Sequence, residues 1–300
     1  MGPLSVSPTA STDNTINIAT QYPIIILQLR REWRHTPAAG RYIGFRKSSG
    51  EFILFLDGDS FLVEGFVEKS IEYFKENNSV EAIIGKRKEI YYDGEIIVGE
   101  ERDINNIGEN TKLVRIAPSS AIYRRSALDE VGCFNPYLFA EEEAELSDRL
   151  KRGGFKVMGI PWDMVVHNTL PREKIKTLFQ RMKCNFHLGD GQIIRYALKR
   201  PISVELFKRV SSGLRFLIWS TGGLVLGILS FIFKRGDLIF LWVVLCGVLF
   251  IVFALKSKSV LKPIRYLLIW SLQSYALVRG FLMKPFDPES YPTDVLVIKM

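Results

Sequence analysis

The 300-residue chain is predicted to be an α/β protein with a mixed sheet flanked by helices, followed by helices that enter a membrane. Two observations predict this architecture. In residues 21–200, short apolar runs of strand length alternate with segments whose apolar residues recur at helical spacing. In residues 201–300, two apolar runs are each long enough to cross a bilayer. We therefore expect a polar segment over residues 1–20, an α/β domain over 21–200 and a membrane region over 201–300.

The elements of the α/β domain follow in order from apolar spacing and turn residues. Helices are predicted over 36–47, 64–77 and 144–152, the second because Val67, Ile71 and Phe74 recur at helical spacing. A hairpin is predicted over 89–98, centred on the turn-forming pair Asp93-Gly94. The remaining apolar segments predict strands at 22–29, 52–56, 80–84, 111–116, 121–124, 155–160 and 164–167.

The most informative segment is residues 52–60, where an apolar run of strand length ends at two carboxylates separated by one glycine. A strand that is apolar at every position suits burial on both faces of a mostly parallel sheet, and ligands bind beyond the carboxyl ends of such strands. Asp57 and Asp59 would therefore lie where a ligand binds. Two hard oxygen donors beside a glycine can hold a divalent cation that bridges a diphosphate. A solvated turn at the end of a strand is the alternative.

Three motifs, in order along the chain, resemble the family-2 glycosyltransferases of GT-A fold. Residues 35–51 are similar to the small-residue helix with an arginine, and the Gly-Glu pair, that precede the Asp-x-Asp strand of that family. Residues 131–135 and 140–150 look like its Gly-Gly-Phe-(Asp/Asn) and Glu-Asp-x-Asp-Leu-x-x-Arg segments. The resemblance covers about residues 24–190, and its order and spacing are more specific than any single motif. It implies a GT-A-type mixed sheet and a nucleotide-sugar donor.

The resemblance assigns the donor and metal sites to four side chains. Asp57 and Asp59 match the Asp-x-Asp pair and would bind both donor and metal, with Asp59 as the direct metal ligand. Arg41 matches the helix residue that faces the donor diphosphate, and His167 ends a strand where the family often has a histidine near the cation. Oxygen donors of this kind imply Mg²⁺ or Mn²⁺ as the cofactor. A solvated arginine and a purely structural histidine are the alternatives.

The acidic run at 141–143 supplies the candidate catalytic base. Sugar transfer to a hydroxyl group needs a base, and carboxylates are favoured at the start of a helix by its dipole. Aligning Leu146 and Arg149 with the family's Asp-Leu-x-x-Arg segment puts Glu142 and Glu143 on its Glu-Asp pair. The family's base is the aspartate, so Glu143 is the first choice and Glu142 the second. Acidic residues that only decorate a helix start would look the same.

Residues on the acceptor side are implied by two further matches. They are Gly132, Phe134, Gln180, Arg181 and Lys183. The last three lie in a segment that resembles the Gln-x-x-Arg-Trp motif of processive polysaccharide synthases, in which Lys183 and Cys184 replace the Arg and the Trp. The missing tryptophan removes an aromatic platform for a sugar, which disfavours a polymerising enzyme. The surrounding residues 172–188 predict an amphipathic helix at a membrane interface or over the catalytic domain.

Positive charge is concentrated in the last third of the chain. Residues 201–300 hold 12 Lys and Arg against 5 Asp and Glu, whereas the first 200 residues hold 28 against 27. The cations flank long apolar runs, which fits membrane lipids as partners and disfavours nucleic acid. Spans are predicted over 214–233 and 238–255. Residues 264–283 include two arginines and a glutamine, so they span, lie in the interface or pack in a bundle, and a span is slightly favoured.

The distribution of cations around the two spans predicts their orientation. Two cations, Lys234 and Arg235, lie in the turn between the spans. Eight lie before the first span or after the second, namely Lys199, Arg200, Lys208, Arg209, Arg215, Lys256, Lys258 and Lys262. Because basic loops stay on the cytoplasmic side, the catalytic domain of this multi-pass cell-membrane protein is predicted to face the cytosol.

The expected function is that of a membrane-anchored, metal-dependent glycosyltransferase acting on a lipid-linked or growing glycan acceptor. Residues 1–20 are polar, and no Asp-Asp-x-Ser segment of the kind that opens the family precedes residue 22. We therefore expect either that the sequence is an amino-terminal truncation of a longer protein, which is favoured, or that its donor site is incomplete because the family's first nucleotide-binding strand is lacking. Two alternatives stay open: a polyprenyl-phosphate sugar synthase, which differs in its acceptor, and a catalytically inert membrane partner of the same fold.

Overall fold

The structure is a computed structural model that describes residues 5–6, 14–169 and 182–299. The chain divides into two compact units. The first contains Met1–Thr177 together with Lys284–Met300, and the second contains Leu178–Met283. The boundary between the units thus lies at residue 177, whereas residue 200 was predicted. In addition, the tail after residue 283 belongs to the first unit.

The tail joins the first unit through a small sheet. Its three strands within the described chain are β1 (Ser5–Val6), β2 (Ile25–Gln28) and β10 (Leu296–Lys299). β2 lies in the middle, parallel to β1 and antiparallel to β10. The last strand of the chain is therefore hydrogen-bonded to one of the first.

The larger sheet of the first unit is mixed, as predicted. Its described strands are β3 (Phe52–Phe55), β4 (Ser60–Leu62), β5 (Ala82–Asp93), β6 (Ile96–Glu101), β7 (Lys112–Leu113), β8 (Ala121–Arg124) and β9 (Val157–Thr169). Five of them lie in the order β3, β8, β5, β9, β4, while β6 pairs with β5 and β7 with β9. Among these described strands β5 and β9 run parallel, and the other pairs are antiparallel.

β3 is covered on both faces, as its continuous apolar sequence predicts. Ile53 and Phe55 belong to one apolar core, whereas Phe52 and Leu54 pack against a second core on the other face. The same run would also suit a strand of a mostly parallel sheet, but β3 pairs antiparallel with β8. The apolar run therefore indicates burial on both faces of the sheet, and it does not require a parallel neighbour.

Two further strand predictions change in detail. The segments predicted at 155–160 and 164–167 are one long strand, β9. The predicted hairpin is present as β5 and β6, but its two-residue turn is Gly94-Glu95, one residue later than expected. Gly94 has φ +67°, so the glycine supplies the left-handed position that a tight hairpin needs.

The described helices of the first unit are α1 (Thr15–Ala19), α2 (Pro37–Lys47), α3 (Phe66–Glu76), α4 (Arg125–Val131) and α5 (Glu142–Arg152). α2 begins where Thr36 Oγ1 accepts a hydrogen bond from the N–H of Ala39 at 2.9 Å, and proline follows at its first position. α2 and α5 pack on one face of the sheet, and α3 packs on the other.

The second unit is helical over its described residues. Its helices are α6 (Leu188–Ala197), α7 (Val204–Val210), α8 (Ser212–Ile232), α9 (Gly236–Ser257) and α10 (Leu261–Leu282). Two of them, Ser212–Ile232 and Ile239–Ser257, are long and apolar enough to cross a membrane. They form an antiparallel hairpin, in which Ser230 Oγ accepts a hydrogen bond from the N–H of Ile239 and a side chain at Gly223 would collide with Trp242.

Tyr291 fixes the returning tail to the first unit. Its side chain is buried, and its ring makes edge contacts with Trp33, Tyr42 and Tyr137 at centroid distances of 5.8, 6.1 and 5.4 Å. Its hydroxyl donates to the backbone carbonyl of Arg34 at 2.7 Å. Aromatic pairs in these geometries stabilise a core beyond the area that they bury.

We predict that Tyr291→Ala destabilises the first unit by about 3–5 kcal/mol, the range for removing a large buried aromatic side chain. The matched control is Tyr291→Phe, which keeps the ring, loses one hydrogen bond and should cost about 1 kcal/mol. Pulse proteolysis of the detergent-purified protein across a urea series measures both. An alanine variant as stable as the parent would show that the tail is not part of the core.

Candidate active site

Arg41 joins the end of β3 to the start of α5. One guanidinium nitrogen, Nη2, donates to Asp57 Oδ1 at 2.7 Å, and the other, Nη1, donates to Glu142 Oε1 at 2.7 Å. Glu143 Oε1 lies 3.8 Å from Nη1. We call these four residues the Arg41 cluster. It brings together four side chains that the sequence analysis assigned to the donor and to the base.

The charges within the Arg41 cluster support one another. Burial opposes ionisation of Asp57, but Arg41 and a hydrogen bond from Ser119 together hold the pKa of Asp57 below its usual range. Burial alone would lower the pKa of Arg41, yet the surrounding carboxylates raise it. Both groups therefore stay charged over the physiological range. Ser119 was missed by the sequence analysis, because it lies in a loop with no recognisable motif.

Glu142 and Glu143 stand in different environments although they are adjacent. The side chain of Glu142 is 7% exposed and engaged by Arg41, whereas that of Glu143 is 32% exposed. Glu141, which precedes the helix, has φ +62°, a left-handed conformation that is uncommon for a residue with a side chain. That backbone conformation begins α5 directly at the two glutamates.

The pKa of Glu143 is raised from 4.5 to about 7. Burial is the largest cause, the negative charge of Glu142 is the next, and Arg41 opposes both. A carboxylate with a pKa near the working pH is suited to accept and release a proton. Of the two glutamates, Glu143 has the accessibility and the pKa of a base, while Glu142 holds Arg41.

Asp59 and His167 form a second pair at the same edge of the sheet. His167 Nε2 lies 3.2 Å from Asp59 Oδ2, and the N–H of Asn168 donates to the carbonyl of Asp59 at 3.1 Å. The Asp59 side chain is 60% exposed, so it is open to a ligand. Asp57, two residues earlier, is turned to Arg41 instead.

Three residues on one face of β5 support His167. Arg87 Nη2 donates to His167 Nδ1 at 2.8 Å and to Glu89 Oε1 at 3.0 Å, and Tyr91 donates to Glu89 Oε2 at 2.7 Å. Glu89 is fully buried and is the register neighbour of His167. Since a guanidinium only donates, the proton of a neutral His167 is on Nε2, facing Asp59. Polar residues alternating along a buried strand were the sequence signal for this support.

The donor set at Asp57, Asp59 and His167 fits a hard divalent cation in kind. Carboxylate oxygens are what Mg²⁺ and Mn²⁺ prefer, and Mg²⁺ is often held by one or two carboxylates plus substrate phosphates. Within residues 14–169 and 182–299, no group of three or more His, Cys, Asp or Glu side chains is arranged to hold a metal ion by itself. While Arg87 donates to Nδ1, a neutral His167 carries its proton on Nε2, so ligation through Nε2 would need the other tautomer and the loss of the Arg87 hydrogen bond.

The residues predicted on the acceptor side are divided between the two units. Phe134 is fully buried beneath Arg41, whose guanidinium carbon lies 5.2 Å from the ring centroid, so its ring is not exposed. The carbonyl of Gly132 accepts a hydrogen bond from Arg149 on α5. Lys183 is exposed in the second unit, while Gln180, Arg181 and most of the predicted helix 172–188 lie outside the described residues.

Comparison with known proteins shows a similarity to glycosyltransferases. Residues 9–132 match the model of Glycosyl transferase family 2, and this segment contains Arg41, Asp57 and Asp59. This segment is therefore similar to family-2 glycosyltransferases, which agrees with the family that the three motifs predict.

Two curated relatives are O-antigen chain rhamnosyltransferases. WbaN of Salmonella anatum is 26% identical over 193 residues, and RfbN of Salmonella typhimurium is 24% identical over 194 residues. Each match covers 59% of this chain and 60% of the relative. The chain thus matches less than two thirds of the length of these proteins.

Solved structures also resemble the chain at low identity. The crystal structure of S. aureus TarS 1–349 in complex with UDP-GlcNAc has a TM-score of 0.48 and 17% identity, covering 63% of this chain and 56% of TarS 1–349. GalNAc-T7 with UDP, GalNAc and Mn²⁺ has a TM-score of 0.45 and 14% identity, covering 61% of this chain and 41% of GalNAc-T7.

Proposed function

We propose that this glycosyltransferase is membrane-anchored and moves a sugar from a nucleotide-diphosphate donor to a lipid-linked or growing glycan acceptor. The observation that carries the proposal is the Arg41 cluster, which links the Asp57 end of β3 to Glu142 and Glu143 at the start of α5. The names of the relatives suggest a finer version, in which the sugar is rhamnose and the acceptor is an O-antigen chain.

Glu143 is the proposed general base. Its carboxylate takes the proton of the acceptor hydroxyl, while the acceptor oxygen forms a bond to the anomeric carbon of the sugar. The bond from that carbon to the donor phosphate breaks, and the diphosphate leaves with the electron pair. Arg41 cannot serve as the base, because a guanidinium stays protonated. Its part is to fix Asp57 and Glu142 and to bring one positive charge to the donor side.

Asp59 is the proposed main ligand of a divalent cation, with Asp57 and His167 beside it. Such a cation would neutralise the negative charge of the departing diphosphate. The exposed carboxylate of Asp59 supports this role, since the other ligands would come from the donor and from water. Arg87 and Glu89 would keep His167 directed at Asp59.

Membrane anchoring is proposed for the helices α8 and α9. Their length and composition support it, and so do the large apolar side chains exposed along both helices, such as Leu224, Phe231, Phe240 and Leu249. The excess of cations on the side of the catalytic unit supports a cytosolic orientation of that unit.

A donor screen tests the proposed function. Membranes that contain the protein are supplied with a panel of nucleotide sugars, including an activated rhamnose, with Mg²⁺, with Mn²⁺ or with a chelator. Metal-dependent incorporation into glycan or lipid-linked material is expected, and a preference for rhamnose would support the finer version. The acceptor preparation must be shown separately to accept sugar. If no donor then gives transfer to it, the proposal is contradicted.

We predict that Glu143→Gln lowers kcat by about 10²–10⁴-fold, the usual contribution of a general base, and leaves donor affinity nearly unchanged. Glu142→Gln is the matched variant, and its smaller effect should fall on donor affinity, because it frees Arg41. Steady-state kinetics and donor calorimetry measure the two. If Glu142→Gln is the crippling change and Glu143→Gln is mild, the base is Glu142.

We predict that kcat/KM falls as the pH drops through about 7, because Glu143 must be ionised to act and its pKa is raised to about 7. Glu142→Gln should move this acid limb to lower pH, since it removes the negative charge that raises the pKa of Glu143. Glu143→Gln should abolish the limb. An acid limb that persists unchanged in both variants would assign the titration to another group.

We predict that Asp59→Ala abolishes transfer and metal-dependent donor binding while the protein still folds, because Asp59 is exposed and takes no part in the core. Asp59→Asn is the matched control, since it keeps an oxygen for His167 but loses the charge that attracts a cation. Calorimetric titration of donor with and without Mn²⁺ measures the loss. Near-normal turnover of the alanine variant at saturating Mg²⁺ and Mn²⁺ would remove Asp59 from the metal site.

A further inference from the structure

Among the described residues, the ring contacts and the hydrogen bond that join helix α10 to the hairpin of α8 and α9 lie near one end of that hairpin. Tyr266 of α10 packs on Phe253, one turn before the end of α9, with ring centroids 5.4 Å apart. Trp270 packs on Phe216, in the first turns of α8, at 6.0 Å. Because α8 and α9 are antiparallel, the start of α8 and the end of α9 lie at the same level.

The contacts of α10 are not those of a third span. A helix that crossed the membrane after α9 would run in the same sense as α8, so its contacts would ascend along α8. They stay at the first turns of α8 instead: Trp270 contacts Phe216, and four residues later Ser274 Oγ donates to the carbonyl of Gly213 at 2.7 Å. Farther on, Leu277 and Gly280 pack against α6, which precedes α8 in the chain.

Chain connectivity gives an independent reason. The residues before Leu178 and the residues after Met283 belong to the same compact unit, which the pairing of β10 with β2 completes. A unit on one side of a membrane can be linked to both ends of an inserted segment only if that segment crosses an even number of times. α8 and α9 account for two crossings, so a single further crossing by α10 does not fit.

The surface of α10 suits the boundary between lipid headgroups and acyl chains. Large apolar side chains are exposed along one stripe at helical spacing, namely Leu261, Ile264, Leu268, Tyr275 and Leu282. The helix carries three cations, Lys262, Arg265 and Arg279, and no acidic residue. Long basic side chains beside an apolar stripe can reach anionic headgroups while the stripe enters the acyl region.

We propose that α10 is an in-plane helix, embedded in the headgroup region of the leaflet where α8 begins and α9 ends, with anionic lipid as its partner. The inference rests on the proposed membrane anchoring and assigns the segment predicted at 264–283 to the interface rather than to a third span. Phe216 and Phe253 lie about one turn from the ends of their helices, about 6 Å of helix rise, which agrees with the usual depth of interfacial helices.

Depth measurements on spin-labelled protein in anionic proteoliposomes test the proposal. Single cysteines are introduced at Ile264, Tyr275 and Leu282 after replacement of the three native cysteines, and at Leu224 in the middle of α8 as a reference. Positions 264 and 282 are about 27 Å apart along the helix axis. An in-plane helix gives them similar shallow depths, whereas a third span gives a graded series through the bilayer and overturns the proposal.

The reference label separates this inference from the proposed anchoring. A label at Leu224 that is not deep in the bilayer would contradict the anchoring itself. A deep label at Leu224 together with graded labels in α10 would contradict the in-plane helix alone.

The lipid partner is tested by replacing Lys262, Arg265 and Arg279 with glutamine in the labelled protein. The shallow positions should lose their dependence on anionic lipid, whereas replacement of Lys151 and Arg152 on α5 is the control and should change nothing. If the depths in α10 are the same with and without anionic lipid in the parent protein, the anionic partner is excluded.

A second measurement leaves the three native cysteines in place. Epitope tags placed at each end of the chain should be digested by protease in the same vesicle orientation, because an even number of crossings puts both ends on one side. Digestion of the two tags in opposite orientations would establish an odd number and overturn the proposal.

Discussion

The site depends on one buried positive charge placed among three carboxylates. Arg41 reaches Asp57 and Glu142 with separate nitrogens, each at 2.7 Å, and thereby ties α2, the end of β3 and the start of α5 to one point. Removing one partner of a buried ion pair typically costs about 3–5 kcal/mol, because the other charge is left uncompensated. The three elements therefore keep their relative positions for an electrostatic reason. This arrangement places Glu143 beside Glu142, and burial together with the charge of Glu142 raises the pKa of Glu143 although Arg41 opposes the shift.

Several residues of the recognisable motifs act beneath this charge. The ring of Phe134 lies under the guanidinium of Arg41. Arg149 donates to the carbonyls of Val131, Gly132 and Cys133 while it pairs with Glu145, so it holds the segment that carries Phe134 against α5. A motif that looks catalytic in the sequence is thus partly a structural support.

The sequence predicted the elements better than their arrangement. The strand at 52–56 and the helix at 36–47 could be predicted because their apolar spacing and their cap depend on neighbouring residues alone. The antiparallel pairing of β3 with β8 could not, since burial on both faces gives the same apolar run in either direction. The same difference holds for the candidate site. Asp57, Asp59 and Glu143 were assigned to it from local motifs. Ser119, Arg87 and Glu89 were missed because strand register and a loop bring them to the site.

The returning tail links completion of the catalytic unit to the fate of the helices that precede it. Tyr291 and Arg34 are 257 residues apart in the chain, yet the hydroxyl of Tyr291 donates to the carbonyl of Arg34 inside the aromatic cluster. Contacts of such long sequence separation form late, because the entropy of closing the loop is lost before the contact stabilises anything. During synthesis the first 177 residues emerge without Tyr291 and β10, so the core around Trp33 and Tyr42 stays incomplete until the second unit has been made. If α8 and α9 enter a membrane, a fully packed first unit is therefore reached only after both of these helices have been synthesised.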